Sequence, residues 1–272
     1  MVQTTNNMSS DTPKKLSILV TQDGFSFSIG NENSITDYQS KYFKKPQNPD
    51  KLLQEMSLLL EKEVFKKYAV QDLQLRVTYS NSLFTIVPES YFDENHLTDY
   101  LKFNTKLLAT DFVTYDETQT GDAKTVYIPY VNINNYLFEK FGEFDYQHLA
   151  TLLLNSLEAE ENNEDKKAHL EIFETHFYLR VSENKKLILL NSFNYQTKED
   201  LLYYVLFTFE QLHLDPNTLA VSLSGKIKEN DEIYSLLYRY IRNVKLVAPA
   251  EIAETLRPKI NYPNQLIFRH FA

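Results

Sequence analysis

The residues best suited to chemistry in this chain are few. Gln22-Asp23-Gly24 joins two alternating runs, Leu16, Ile18, Val20 and Phe25, Phe27, Ile29. An Asp beside a Gly can hold a metal while backbone amides approach a phosphate. It can also simply close a tight hairpin. Ser224-Gly225-Lys226 follows another alternating run and can hold an anion or make a strand-end turn. Six histidines, His96, His148, His169, His176, His213 and His270, are scattered. None stands three or four positions from another, so no helical metal-ligand pair is present. Asp93-Glu94 and Asp231-Glu232 sit where helices start, and there acidic side chains complement the macrodipole. There is no Gly-x-Ser-x-Gly elbow and no Walker loop.

Composition narrows the classes further. The 272 residues are 43% hydrophobic and 24% charged, an ordinary globular balance with enough chain for two modest cores. The absence of cysteine removes disulfides, thiolate nucleophiles and Cys-ligated metals, and it suits a reducing cytoplasm. A net charge of -9 repels nucleic acid and anionic membranes. No run approaches the roughly 20 apolar residues of a membrane span. Only 5 residues are Gly, which leaves few places for a phosphate-gripping loop. Tyr and Phe supply all of the 14% aromatic content. Most belong in a core. Tyr203, Tyr204, Phe207 and Phe209, with Tyr38, Tyr42 and Phe43, are too many for one buried face and predict a second apolar surface.

The elements that must position these residues follow one pattern twice. Two strands around Asp23-Gly24 are followed by an aromatic-rich third at 35–43. A helix then opens on Asn48 and Pro49 with Leu52, Met56, Leu59, Leu60, Val64 and Tyr68 in its stripe. Leu73, Leu75, Val77 and Tyr79 alternate as a fourth strand. From His169 the order repeats, with strands at 169–173, 177–181 and 187–193. A capping box at Thr197–Asp200 starts a long helix that Asp215-Pro216 ends, and a strand through Leu219, Val221 and Leu223 follows. Between the repeats come a helix capped by Asp93, a polar excursion at 116–124 and a strand through Val126, Ile128 and Tyr130. A helix ended by Gly142 and a segment at 146–157, strand entering helix, complete this middle region. Ile233, Leu236, Leu237, Tyr240 and Ile241 stripe a last helix before a strand at 244–247. The domain reading is a disordered lead-in at 1–15, a first half at 16–157, a linker at 158–167 and a second half at 168–272 with an irregular tail.

This order resembles the duplicated actin-like ATPase fold shared by actin, sugar kinases and heat-shock chaperones, an α/β architecture of two ribonuclease H-like halves. Each half of that fold holds a mixed sheet flanked by helices. The stretch VYIPYVNINNYLFEKFG, followed by FDYQHLATLLLNSLEA, resembles the exit from the first half. LSILVTQDGFSFSI looks like the opening of an uncharacterised bacterial family of unknown function assigned to this fold. It is more distantly similar to the actin-like protein of type IV pilus assembly. The resemblance implies an Asp-x-Gly at each of two hairpins and a Gly-Gly near adenosine. Placing Gly24 on the motif's Gly puts Gln22 on its Asp, and placing Asp23 there puts Phe25 on the Gly. The second hairpin, Glu174-Thr175-His176-Phe177, has no Gly, and Gly225 is one Gly of the expected pair.

The sequence therefore predicts a cytoplasmic pseudo-ATPase that needs no cofactor or metal, carries no catalytic residue and binds an unidentified protein partner. It predicts neither nucleic-acid binding nor membrane insertion. The alternative is a divergent Mg-ATP-binding or ATP-hydrolysing protein. In it Asp23 places magnesium, Gly24 and Ser26 contact phosphate, Thr175 and His176 form the opposite hairpin, and Gly225 lies near adenosine. A cleft plugged by Phe25 or Phe177 would favour the partner-binding reading.

Overall fold

The computed structural model describes residues 14–31, 34–102, 105–108, 111–159 and 165–248, with Leu256 and Ile260. Strands β1 (Lys14–Thr21), β2 (Gly24–Asn31) and β3 (Ser34–Tyr42) form an antiparallel meander. Helix α1 (Pro49–Leu59) then returns the chain to β4 (Leu73–Ser80), which runs parallel to β1. Asn48 accepts the Lys51 N–H at 2.8 Å and Pro49 opens the helix, as the sequence predicts. The helix continues through a π-turn at Leu60–Val64, which keeps Leu60 and Val64 on the face that buries Leu52 and Met56.

The chain then leaves the sheet for a small antiparallel one. Here β5 (Phe84–Pro88) and β6 (Thr114–Glu117) flank β7 (Ala123–Tyr127), with helix α2 (Leu97–Leu101) against it. The sequence reading overlooks β5, a five-residue strand ending in Pro88, where a missing N–H is tolerated only at a sheet edge. It extends β7 too far. The strand stops at Tyr127 because Pro129 has no N–H to give, and Tyr130 instead begins helix α3 (Val131–Phe141). Gly142 ends α3 at φ 75°. Strand β8 (Asp145–His148) joins β4 in parallel and runs into helix α4 (Leu149–Asn155).

The second half repeats the first. Strands β9 (Lys166–Ile172), β10 (His176–Glu183) and β11 (Lys186–Asn194) form the meander. Helix α5 (Lys198–Gln211) leads to β12 (Ala220–Gly225), and helix α6 (Glu232–Tyr240) leads to β13 (Asn243–Leu246). The sheet orders are β3-β2-β1-β4-β8 and β11-β10-β9-β12-β13, position for position the same. The capping box at Thr197 and Asp200 is present. Helix α5 stops at Gln211, short of the expected Asp215-Pro216, and His213 turns left-handed at φ 53°.

Period-2 alternation sends Leu16, Ile18 and Val20 into the first core and Ala168, Leu170 and Ile172 into the second. The cores interlock. Phe173 and Tyr178 of the second half are buried in the first core. Lys14 and Lys15 of the expected lead-in already pair in β1, and the rest of the lead-in lies outside the described residues. Lys166 and Lys167 of the expected linker pair with Glu183 and Ser182, because a strand is defined by its backbone and tolerates lysines on its open face. Residues 160–164 of that linker lie outside the described residues, as does most of the tail. Leu256 and Ile260, which the sequence places in the second half, are buried in the first core.

Candidate functional site

In this architecture the turn after β1 and the turn after β9 face each other between the lobes. Asp23 stands in the first and Thr175 in the second. The Asp23 carboxylate accepts the Thr175 N–H at 2.9 Å and the Thr175 hydroxyl at 3.0 Å through one oxygen. Its other oxygen accepts the Thr21 hydroxyl. Asp23 is fully buried. Burial alone would raise its carboxyl, but His176 and the hydroxyls of Thr21 and Thr175 outweigh that and hold it below the usual aspartate value. His176 is equally buried, with Nδ1 3.7 Å from the Asp23 carboxylate and Nε2 3.0 Å from the Ser80 hydroxyl. Its ring stacks on Phe173, centroids 4.6 Å apart and 7° from parallel.

The network continues across the lobes. The Tyr178 hydroxyl donates to the Asn81 carbonyl at 2.9 Å, and the Ser80 hydroxyl donates to Tyr178 at 3.2 Å. His148 accepts the Ala150 N–H at Nδ1, so its proton sits on Nε2 and points to the Asn81 carbonyl at 3.2 Å. Burial lowers its pKa to about 3, so this imidazole is neutral at physiological pH. Nearer the rim, Gln22 donates to Asn194 at 2.6 Å, and Lys226, paired with Glu174, lies over the Tyr42 ring. Arg180 of β10 donates to the Leu153 carbonyl and to Ser156.

Of the six candidate nucleotide residues, the structure brings Asp23, Thr175 and His176 together. The other three answer to packing. A Cβ on Gly24, at φ 154°, would stand 2.3 Å from the Lys41 carbonyl, so Gly24 lets β3 approach β2. Ser26 is buried within β2 and pairs with Ser40 of β3. A Cβ on Gly225 would lie 2.2 Å from the Ile172 carbonyl, so this Gly presses β12 against the end of β9. Phe25 and Phe177 do not plug the cleft. Each faces its own lobe's core, and Phe173, His176 and Tyr178 fill the space between lobes. The sequence reading missed Ser80, Asn81 and Tyr178, and it assigns no role to His148, one of the scattered histidines. Their only signal is position at the ends of β4, β8 and β10, which becomes informative once the two sheets are docked.

Helix α5 carries the second apolar surface that the sequence predicts. Tyr203 is 61% exposed and Phe207 45%, and their rings stack 5.9 Å apart. Tyr204 and Phe209 turn inward, and Tyr38 of β3 is buried as well. Among the described residues no helix is long and apolar enough to cross a membrane, and no group of three metal-ligating side chains occurs.

Residues 3–244 match the family described as a protein of unknown function, DUF3822. The chain belongs to that family. Its fold is the actin-like ATPase fold. A Bacteroides thetaiotaomicron protein with this fold and unknown function is similar over 97% of both chains, at 19% identity and a TM-score of 0.77. The PilM–PilN type IV pilus biogenesis complex is similar over 86% of this chain and 88% of that one, at 13% identity and a TM-score of 0.53. Ethanolamine utilization protein EutJ from Carboxydothermus hydrogenoformans is similar over 86% and 84%, at 8% identity and a TM-score of 0.51. No curated protein matches the sequence. These likenesses show the fold and carry no activity with it.

Proposed function

We propose that this protein is a non-catalytic member of the actin-like fold that works by binding another protein. One observation carries the reading: the two hairpins that would grip a nucleotide are bonded to each other. The acid that the alternative needs for magnesium is buried against Thr21 and Thr175. Two charge-assisted hydrogen bonds are worth about 3–6 kcal/mol together. Opening the hairpins for a phosphate would cost that much first, lowering apparent affinity roughly a hundred- to ten-thousand-fold. PilM appears with PilN in a complex, so this fold is compatible with partner binding.

Thermal unfolding tests the reading. A ligand specific for the native state at about 100 times its dissociation constant adds roughly 2.7 kcal/mol of stability. In a chain this size that moves Tm by several degrees. Millimolar Mg-ATP, Mg-ADP and Mg-GTP are expected to leave Tm at the value found with magnesium sulfate. A reproducible rise with ATP that Asp23→Asn abolishes would replace this reading with the divergent-ATPase one.

A further inference from the structure

Far from the interlobe junction, the first sheet has an open notch. Strand β4 is eight residues long, but β8 pairs only with Arg76–Tyr79. Among the described residues no strand meets Leu73, Gln74 and Leu75 on that side. The chain leaves α3 at Gly142 and reaches β4 only at Asp145, so a wedge of about 870 Å³ opens between them. Leu73 and Leu75 form one wall, and Phe138, Phe141 and Phe144 form the other. Phe138 is 58% exposed, although it stands on an ordered helix. Glu143 and Asp145 stand at the rim. Both are exposed, and among the described residues Asp145 has a single ion pair, a 3.9 Å contact with Arg76.

We propose that this notch is a docking site for an extended segment of another protein, one with a large apolar side chain next to Lys or Arg. The proposal rests on the partner-binding reading and gives that reading a place and a chemistry. The Leu73 N–H is already given to the Val70 carbonyl, so the unpaired stretch of β4 offers an added strand the outward backbone groups of Gln74 and Leu75. The wedge between the aromatic wall and the leucines takes the apolar side chain, which supplies most of the affinity. The carboxylates of Glu143 and Asp145 select a basic neighbour and reject an acidic one. An apolar small molecule would leave the strand edge and both charges unused.

Panning phage-displayed random dodecapeptides on the full chain tests this. Enriched sequences are expected to place an aromatic or large aliphatic residue within two positions of Lys or Arg. Binding of the best synthetic peptide is expected to fall about tenfold or more in Phe138→Asp, as removal of a central contact implies. It is expected to fall severalfold in Asp145→Lys, and to be lost when the peptide's central amides are N-methylated. Phe138 and Asp145 are exposed, so both variants should keep the wild-type melting curve. If one does not, Glu143→Lys makes the same charge test. The proposal is overturned if no sequence is enriched, if the enriched peptides are acidic, or if their binding ignores Phe138→Asp. Such a failure with Mg-ATP still without effect removes the notch and leaves the partner-binding reading. A thermal shift with ATP removes the reading itself.

Discussion

At the scale of single residues, Asp23 shows how one side chain changes its meaning with its surroundings. The same carboxylate that could hold magnesium is here an acceptor for a backbone amide and two hydroxyls. Because its folded pKa lies below the ordinary aspartate value of about 3.9, its contribution to stability is complete above that pH. It is lost as pH falls through the depressed folded value. Asp23→Asn keeps the shape but offers one acceptor instead of two, and turns an amide donor toward other donors. At pH 7 it should reduce the unfolding free energy by about 1–3 kcal/mol. The gap should narrow steadily below pH 4, as the wild-type carboxylate becomes protonated. His148, buried neutral with a pKa of about 3, weakens both proteins equally on acidification and cancels from the comparison. Urea titrations at a series of pH values read the difference, and a gap that stays constant down to pH 2 would contradict this role.

At the scale of elements, α5 carries more apolar surface than one lobe can cover. Leu201, Val205 and Phe209 face the second core, Leu206 is only half-buried, and Tyr203 and Phe207 face solvent. Leu206→Ala should therefore cost less than the roughly 2–5 kcal/mol of a fully buried leucine, while Val205 and Leu201 remain the anchors. Its start is the better defined end. Thr197 accepts the Asp200 N–H at 3.1 Å, and Asp200 accepts the Thr197 N–H at 2.9 Å. Thr197→Ala should cost about 1 kcal/mol, the usual loss for a cap. Denaturant midpoints measure both, and a larger effect for Leu206→Ala than for Leu201→Ala would reverse this ranking.

At the scale of the whole molecule, the lobes are joined by more than a hinge. Phe173 and Tyr178 enter the first core, and Phe84 of the first half packs 5.6 Å from the Tyr178 ring. Asp23, Ser80 and Asn81 each bond across the junction. Asp23, Thr175, Ser80, Asn81 and Tyr178 are hydrogen-bonded across the junction, while His176 Nδ1 stands 3.7 Å from Asp23 without a hydrogen bond, so separating the lobes would strand donors and acceptors on both sides. The protein should accordingly unfold in one calorimetric transition, with the van't Hoff and calorimetric enthalpies equal. Tyr178→Phe removes the hydroxyl that joins Ser80 to the Asn81 carbonyl. It should lower that single transition without splitting it. Two separable peaks in the wild-type protein would show that the lobes are independent.

The sequence by itself determined the repeated order of elements. Alternation in β1 and β9, the Asn48 and Thr197 caps and the Asp23-Gly24 turn are local signals, set by backbone sterics and nearest-neighbour hydrogen bonds. It also showed the degenerate second hairpin, since Glu174–Phe177 lacks Gly whatever the fold. Only the tertiary structure decided what Asp23 faces. Its partner across the lobes, Thr175, lies 152 positions away, and no local pattern encodes which hairpin meets which. The same holds for Gly24 and Gly225, where a Cβ would collide with the Lys41 and Ile172 carbonyls. It holds for the notch beside β4, because a void is defined by where β8 stops pairing, a property of two strands whose paired residues, such as Arg76 and Asp145, stand 69 positions apart. Side-chain type sets what a residue is able to do, and long-range packing sets which of those things it does.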